Sequence, residues 1–364
     1  MNILFIGPLP EPITGQSLAC QVLLETLARR HEVQVVDLSK REFKQGVSSV
    51  SRLVGVARIL FDVAWKSRTA DIIYLTVAES FAGNVKDLMI YLICFPRLNR
   101  TVIHLHGGAG LRGVMLGANG WHRRVNEFFV RRLGAAVVLG SRHLDVFAQA
   151  LGPERIHIVP NFAQDYLFVS DERISRKFAE WRPLRILFLS NLLPGKGYHE
   201  VVEAFRALDE SLQAEVVIDF AGGFESTTDR AHFLQSIEGM PQLRYHGTVH
   251  GEAKRELFEQ AHLFCLPTYY PYEGQPISIL EAFASGCAVI TTDHSGIGDI
   301  FVHGVNGYQV EKKSSHSVKL AIETALANRE PLERMAMWNV TVARRQYRTT
   351  NYNESLIRIL ESVA

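Results

Sequence analysis

Short runs rich in Ile, Val, Leu and Phe recur along this chain, each followed by enough residues for one helix, and they do so in two separate series. The first series is NILFI (2–6), VQVVD (33–37), DIIYLT (71–76), TVIHLH (101–106), AAVVLG (135–140) and IHIV (156–159). The second begins afresh with LRILFLS (184–190) and continues through EVVIDFA (215–221), LRYHG (243–247), HLFCLP (262–267) and AVITTD (288–293). A parallel strand is buried on both faces, so it reads as a continuous apolar run, and it must be reached by a crossover helix. The expected fold is therefore α/β, with two Rossmann-like doubly wound parallel-sheet domains. Residues 1–168 form the first and 184–340 the second. The charged stretch SDERISRKFAEWRP (170–183) marks a linker at 169–183, and residues 341–364 are helices returning towards the first domain.

A length of 364 residues suits two cores. At 47% hydrophobic and 21% charged, without low-complexity stretches, the composition is that of a globular protein. The opening MNILFIGPLP lacks a basic leader, and the longest later apolar run, Leu88 to Phe95, is too short to span a bilayer. A cytoplasmic chain is expected. Cys20, Cys94, Cys265 and Cys287 are widely spaced without a CxxC pair, so they read as buried thiols. Charge is uneven: residues 1–165 carry 19 Lys and Arg against 13 Asp and Glu. Much of that excess lies in SRLVGVARILFDVAWKSR (51–68) and WHRRVNEFFVRRLG (121–134). Basic amphipathic helices of this kind either rest on the inner face of an anionic membrane or present a solvated face, and both readings stand. No nucleic-acid partner is expected, since the second half is acidic and no reader motif is present.

Chemistry concentrates where strands feed Gly/Pro loops that open helices, because an open parallel sheet exposes backbone amides to a ligand there. Ile3-Leu4-Phe5 runs into GPLPEPITGQ, and Ile186-Leu187-Phe188 into SNLLPGKG (190–197). Lys196, between two glycines, is either a phosphate-binding ammonium or a turn lysine; the Walker A spacing is absent. In YEGQPISILEAFASG (272–286), Pro276 suits the first turn of a helix that Gly286 closes. Amides at Gly274, Gln275 and Ile277, with the helix dipole, favour an anion, whereas Glu273 and Glu281 would repel one. The conflict disappears if the anion sits on the amides and Lys196 while each carboxylate accepts hydroxyls of a neutral flank. A carboxylate receives two vicinal O–H groups side by side, so a sugar, a diphosphate and a ribose fit in sequence.

The ordered set SNLLPGKG, AGG (221–223), HGTVH, EQAHLFCLPT, YYPYEGQPISILEAFASGCAVITTD and IFVHGVNGYQV resembles the retaining glycosyltransferases of family 4. The resemblance spans most of residues 184–312; in the first half, the Gly7 to Gly15 loop, His104-Leu105-His106-Gly107-Gly108, Ser141 and Ile158-Val159-Pro160-Asn161 fit its markers more loosely. It implies the GT-B fold, in which two such domains face a cleft. It also implies a retaining, metal-independent transfer of a sugar from a nucleotide-sugar donor to a glycan or lipid-linked acceptor, in bacterial-type surface polysaccharide or glycoconjugate assembly. No cofactor is implied beyond the donor as co-substrate, and no Asp-x-Asp is present to hold a divalent metal. By position, Glu281 would hold the ribose hydroxyls, Glu273 the donor sugar, and Lys196 the diphosphate. His106 would line the reaction centre and Gly15 approach the diphosphate. The donor would also be contacted at Gly274, Gln275, Pro276 and Ile277. Asn191 stands where the family places an arginine, which removes a cation unless another, such as Arg255, replaces it. Gln16 stands where a second glycine is usual. Acceptor selection falls to the loops near Gly108 to Gly120.

Three alternatives remain open at this point: a nucleotide-sugar epimerase or hydrolase on the same fold, a non-catalytic sugar-binding subunit, and a metal-dependent hydrolase. The last would use the H-x-H pair His104 and His106, with His246 and Asp293 as further ligands.

Overall fold

Each series builds its own six-stranded parallel sheet in the computed structural model, which describes residues 1–39, 49–117 and 120–364. The first sheet contains β1 (Asn2–Gly7), β2 (Glu32–Asp37), β3 (Ile72–Thr76), β4 (Thr101–Leu105), β5 (Ala135–Val138) and β6 (Ile156–Ile158), in the order β2-β1-β3-β4-β5-β6. The second contains β7 (Leu184–Leu189), β8 (Val216–Ala221), β9 (Leu243–Tyr245), β10 (Leu263–Leu266), β11 (Ala288–Thr292) and β12 (Gly307–Val310), in the order β12-β11-β10-β7-β8-β9. All pairings are parallel; Phe5 lies between Val35 and Tyr74, and Ile186 pairs with both Ile218 and Leu263.

The eleven strands expected from the apolar runs are present. The twelfth, β12, is a short edge strand that opens on Gly307 and exposes Gln309, so it lacks the apolar run that marks the others. β3, β4, β8 and β11 are buried along their whole length, as strands covered by helices on both faces must be. Beyond residue 328 the chain is helical, in Arg329–Gln346 and Thr349–Val363. No helix among the described residues is long and apolar enough to cross a membrane.

The chain divides into two compact units. The first comprises Met1–Asn161 with Tyr272–Gln275 and Thr350–Ala364; the second comprises Phe162–Pro271 with Pro276–Thr349. In the first, Leu4, Ile73, Ile103 and Ala136 lie at the centre of the core. The terminal helix is fixed within this unit by Asn353 Nδ2, which donates to Thr26 Oγ1 (2.8 Å), and by a Glu354–Arg30 ion pair (2.6 Å). In the second, Phe188, Phe220, Phe264 and Ile290 occupy that place. The stretch read as a linker forms the helix Asp171–Ala179, capped by Ser170, and its Ile174 and Phe178 are wholly buried in the second core. Charge on one face and two apolar side chains four residues apart on the other account for both readings.

Candidate active site

In the second unit the strand order reverses between β7 and β10, so the loops leaving their carboxyl ends diverge to opposite faces and leave a crevice at the switch point. Those loops are residues 190–197 and 267–276. They are laced together by Tyr269 N–H and Thr268 Oγ1, both of which donate to Gly195 O (2.7 and 3.3 Å). Lys196 is half-buried there, with its ammonium 4.8 Å from the centroid of the Tyr270 ring. Gly197 has φ +89° and a Cβ on it would lie 2.5 Å from Pro267 O, so only glycine permits this approach. The helix Tyr198–Arg206 begins at the next residue, and its first amides lack intrahelical partners. An ammonium and a helix amino end at one strand terminus form an anion-binding corner.

Pro276 is the N-cap of the helix Ile277–Ala284, and Gly286 follows its C-terminus at φ +63°, as expected. Having no N–H, Pro276 itself offers nothing to an anion. Glu281, only 1% exposed, accepts from Lys254 Nζ at 2.6 Å; Lys254 also donates to Gln164 Oε1 (3.1 Å). Burial raises the Glu281 pKa, and Lys254 opposes that shift. Lys254 escaped sequence analysis, although a signal exists. In GEAKRELFEQ it stands four residues before Phe258, on the buried stripe of the helix Gly251–Gln260.

Lys177, from the segment read as a linker, reaches between these elements. Its ammonium donates to Ser285 O (2.8 Å) and Gly286 O (3.0 Å) beyond the helix that carries Glu281, and to Ala261 O (2.9 Å) beyond the helix that carries Lys254. One buried cation thus closes two helix carboxyl ends, where the dipoles favour positive charge. Arg255 is committed elsewhere, to Glu259 (2.9 Å) and Glu252 (3.7 Å). Asn191 is exposed at the start of its loop.

In the first unit, Thr14 and Ser17 form a reciprocal cap, with Gly15 exposed as the first residue of the helix Gly15–Leu27. His106 follows β4, and its ring lies 4.0 Å from that of His104, whose Nδ1 is 2.8 Å from the Tyr74 hydroxyl. Burial pushes the His106 pKa down to about 3 and lowers that of His104 as well, so both rings are neutral at pH 7. Neither Nε2 has a hydrogen-bond partner among the described residues. Residues 272–275 pack onto this strand end: a Cβ on Gly274 would lie 2.0 Å from His106 O, so glycine is required for the contact. The structure therefore brings His106 and the Glu273-Gly274-Gln275 turn together within the first unit.

Gln275, expected to serve the donor through its backbone amide, also anchors its turn. Its side chain is spent on anchoring: Oε1 accepts from Asn161 N (2.7 Å) and Nε2 donates to Leu139 O (3.1 Å), while its carbonyl accepts from Asn161 Nδ2 (2.8 Å). Glu273 is 7% exposed. Another residue not foreseen is Glu79, whose Oε2 accepts from the amides of Gly108 and Gly110, both at 3.0 Å. Of the Gly108 to Gly120 loop assigned to acceptor selection, Ala118 and Asn119 lie outside the described residues.

The metal-hydrolase alternative is not supported. His246 Nε2 lies 2.7 Å from Asp219 Oδ1 in the second unit, while His104 and His106 belong to the first. Among the described residues no three His, Cys, Asp or Glu are gathered as a ligand set.

Residues 170–338 match the family model of the glycosyl transferases group 1. The amylovoran biosynthesis glycosyltransferase AmsK of Erwinia amylovora is 30% identical over 132 residues, 35% of this chain and 32% of AmsK. TuaC of Bacillus subtilis, a glycosyltransferase assigned by name to teichuronic acid biosynthesis, is 29% identical over 181 residues, 48% of this chain and 43% of TuaC. The chain thus spans less than half the length of these curated relatives. The crystal structure of Anabaena HepE in complex with UDP superposes with a TM-score of 0.74 at 17% identity, covering 100% of both chains, which shows the GT-B fold.

Proposed function

We propose that this chain, whose residues 170–338 match the glycosyl transferases group 1 model, is a retaining, metal-independent glycosyltransferase of polysaccharide assembly, moving a sugar from a nucleotide-sugar to a glycan or lipid-linked acceptor. The observation that carries this reading is the β7/β10 switch point. There the Lys196 ammonium and the amino end of the helix Tyr198–Arg206 lie on one loop, and the loop after β10 leads into the helix that carries buried Glu281. Breaking an anomeric C–O bond leaves positive charge on the sugar and negative charge on the departing diphosphate. A fixed cation and oriented amides stabilise the second of these.

In this reading Lys196 and the helix amides hold the diphosphate. Glu281, paired with Lys254, accepts the two ribose hydroxyls. Glu273 orients the transferred sugar, and the neutral His106 offers Nε2 to a hydroxyl near the reacting carbon. Further support comes from HepE, which has been crystallised with UDP and with UDP-glucose, and from the polysaccharide pathways for which AmsK and TuaC are named.

The test is a panel of nucleotide-sugars incubated with the protein, with and without soluble and lipid-linked acceptors. Acceptor-dependent release of nucleoside diphosphate is expected. Release that ignores the acceptor indicates a hydrolase, and no release from any donor removes the proposal. Glu281→Ala is expected to raise the donor KM and Lys196→Ala to lower kcat.

A further inference from the structure

We propose that three helices on one face of the first sheet form a docking surface for an anionic phospholipid bilayer. The helix Phe81–Ile93 packs against both Ser49–Lys66 and Trp121–Val130. Asn84 and Asn126 join it to the latter through two side-chain hydrogen bonds (2.9 and 3.0 Å). Because β2, β3, β4 and β5 succeed one another in a single direction across the sheet once β1 is passed, right-handed crossovers place all three helices on the same side.

The outward face of this layer is not that of an ordinary solvated helix. Phe81, Val85, Met89 and Leu92 form one exposed stripe at spacings of four, four and three, with Phe81 at 62% and Leu92 at 65% exposure. Neither basic segment found in the sequence includes this helix. On its neighbours, Phe61 and Trp65 are exposed one turn apart, and Trp121 and Phe128 two turns apart. Side chains this large and apolar, grouped on adjoining helices, mark an interaction surface.

Charge selects the partner. The Arg68 guanidinium lies 5.3 Å above the Trp65 ring and that of Arg132 lies 3.8 Å above Phe128, while Arg58 and Arg124 are exposed on the same stripes. Acidic groups on these helices are withdrawn: Asp87 is wholly buried, Asp62 is half-buried, and Glu127 is paired with Arg123 (2.7 Å) and Arg131 (3.4 Å). Trp65 and Phe128 each lie under a guanidinium and Arg58 and Arg124 are exposed beside Phe61 and Trp121, which matches the depth profile of a bilayer surface, with rings at the headgroup boundary and cations on phosphate. The proposal does not depend on the donor site.

The full chain is mixed with phosphatidylcholine vesicles with and without phosphatidylglycerol, and binding is read by co-sedimentation and by the blue shift of Trp emission. Binding that requires phosphatidylglycerol and falls with salt is expected. Phe61→Ser with Trp65→Ser, or Trp121→Ser with Phe128→Ser, should each lower partitioning about tenfold. All four together should abolish it, with unchanged melting, whereas Trp338→Ser on the second unit should leave it intact. Absence of binding to phosphatidylglycerol vesicles, or equal binding by the four-residue variant, overturns the proposal. So does a concentration-dependent dimer that the variant loses while vesicles capture nothing, which would assign the face to a second copy.

Discussion

Lys254 Nζ and Glu281 Oε1 meet at 2.6 Å in the interior of the second unit, where the lysine is 8% and the glutamate 1% exposed. A buried carboxylate without a counter-ion takes up a proton, which turns one of its two acceptor oxygens into a donor and spoils the side-by-side acceptance of two vicinal hydroxyls. The pair is therefore a condition for the ribose contact assigned to Glu281. Lys254→Met is expected to raise the donor KM about tenfold at pH 7 and to destabilise the protein by ~3 kcal/mol, as breaking a buried pair does. The KM defect should shrink as pH rises through the now higher Glu281 pKa. A KM equal to the parent's across pH would detach Lys254 from the site.

Lys177 ties together the carboxyl ends of the two helices that carry Lys254 and Glu281. Removing its ammonium takes the buried lysine donor from the carbonyls of Ser285 and Gly286 and leaves Ala261 O with the weaker Cys287 Sγ donor (3.2 Å). Lys177→Met is expected to cost ~2–4 kcal/mol, read as a lower midpoint in urea unfolding. Stability within error of the parent would show that these helix ends need no cation.

Gly274 tests the packing of the glutamate turn on β4. A methyl group there meets His106 O at 2.0 Å, so Gly274→Ala must shift backbone at Glu273 or at His106. Overpacking of this kind costs ~1–3 kcal/mol, and kcat is expected to fall further than kcat falls for Gln275→Ala, which removes only an anchor. Parent-like kcat in Gly274→Ala would place the chemistry away from this turn.

His104 and His106 make the first unit sensitive to acid. Folding holds both rings neutral, His106 down to about 3, against an ordinary value of 6.5. The unfolded chain therefore binds more protons below pH 6.5. Stability conferred by the neutral rings is complete above that value and is lost as pH falls towards 3, by up to about 1.4 kcal/mol per pH unit for each ring. His106→Gln should flatten the dependence in that window, measured by urea unfolding at stepped pH; an unchanged slope would contradict the assignment.

Asn191 stands exposed at the start of the loop that carries Lys196. Asn191→Arg restores the second cation usual in the resembled family and is expected to raise kcat up to about tenfold, with a smaller change in donor KM. Unchanged turnover would mean that the leaving diphosphate is already neutralised.

The two-sheet architecture was legible in the chain itself because parallel strands must be apolar throughout and helix-length intervals must separate them. Local turn chemistry was legible for the same reason: Pro276 and Gly286 delimit the helix of Glu281, and glycines flank Lys196, whatever lies around them. Only the tertiary structure decided which polar groups meet. Lys254 and Glu281 are 27 residues apart, Asn161 and Gln275 114 apart, and Lys177 serves carbonyls more than 80 residues away. No local pattern encodes such partners, because a buried charge or amide is satisfied by whatever donor or acceptor the packed core delivers to it. The same holds for the helix Phe81–Ile93. Its apolar residues look alike in sequence, and only the packing of its neighbours determines which of them are buried and which face outwards.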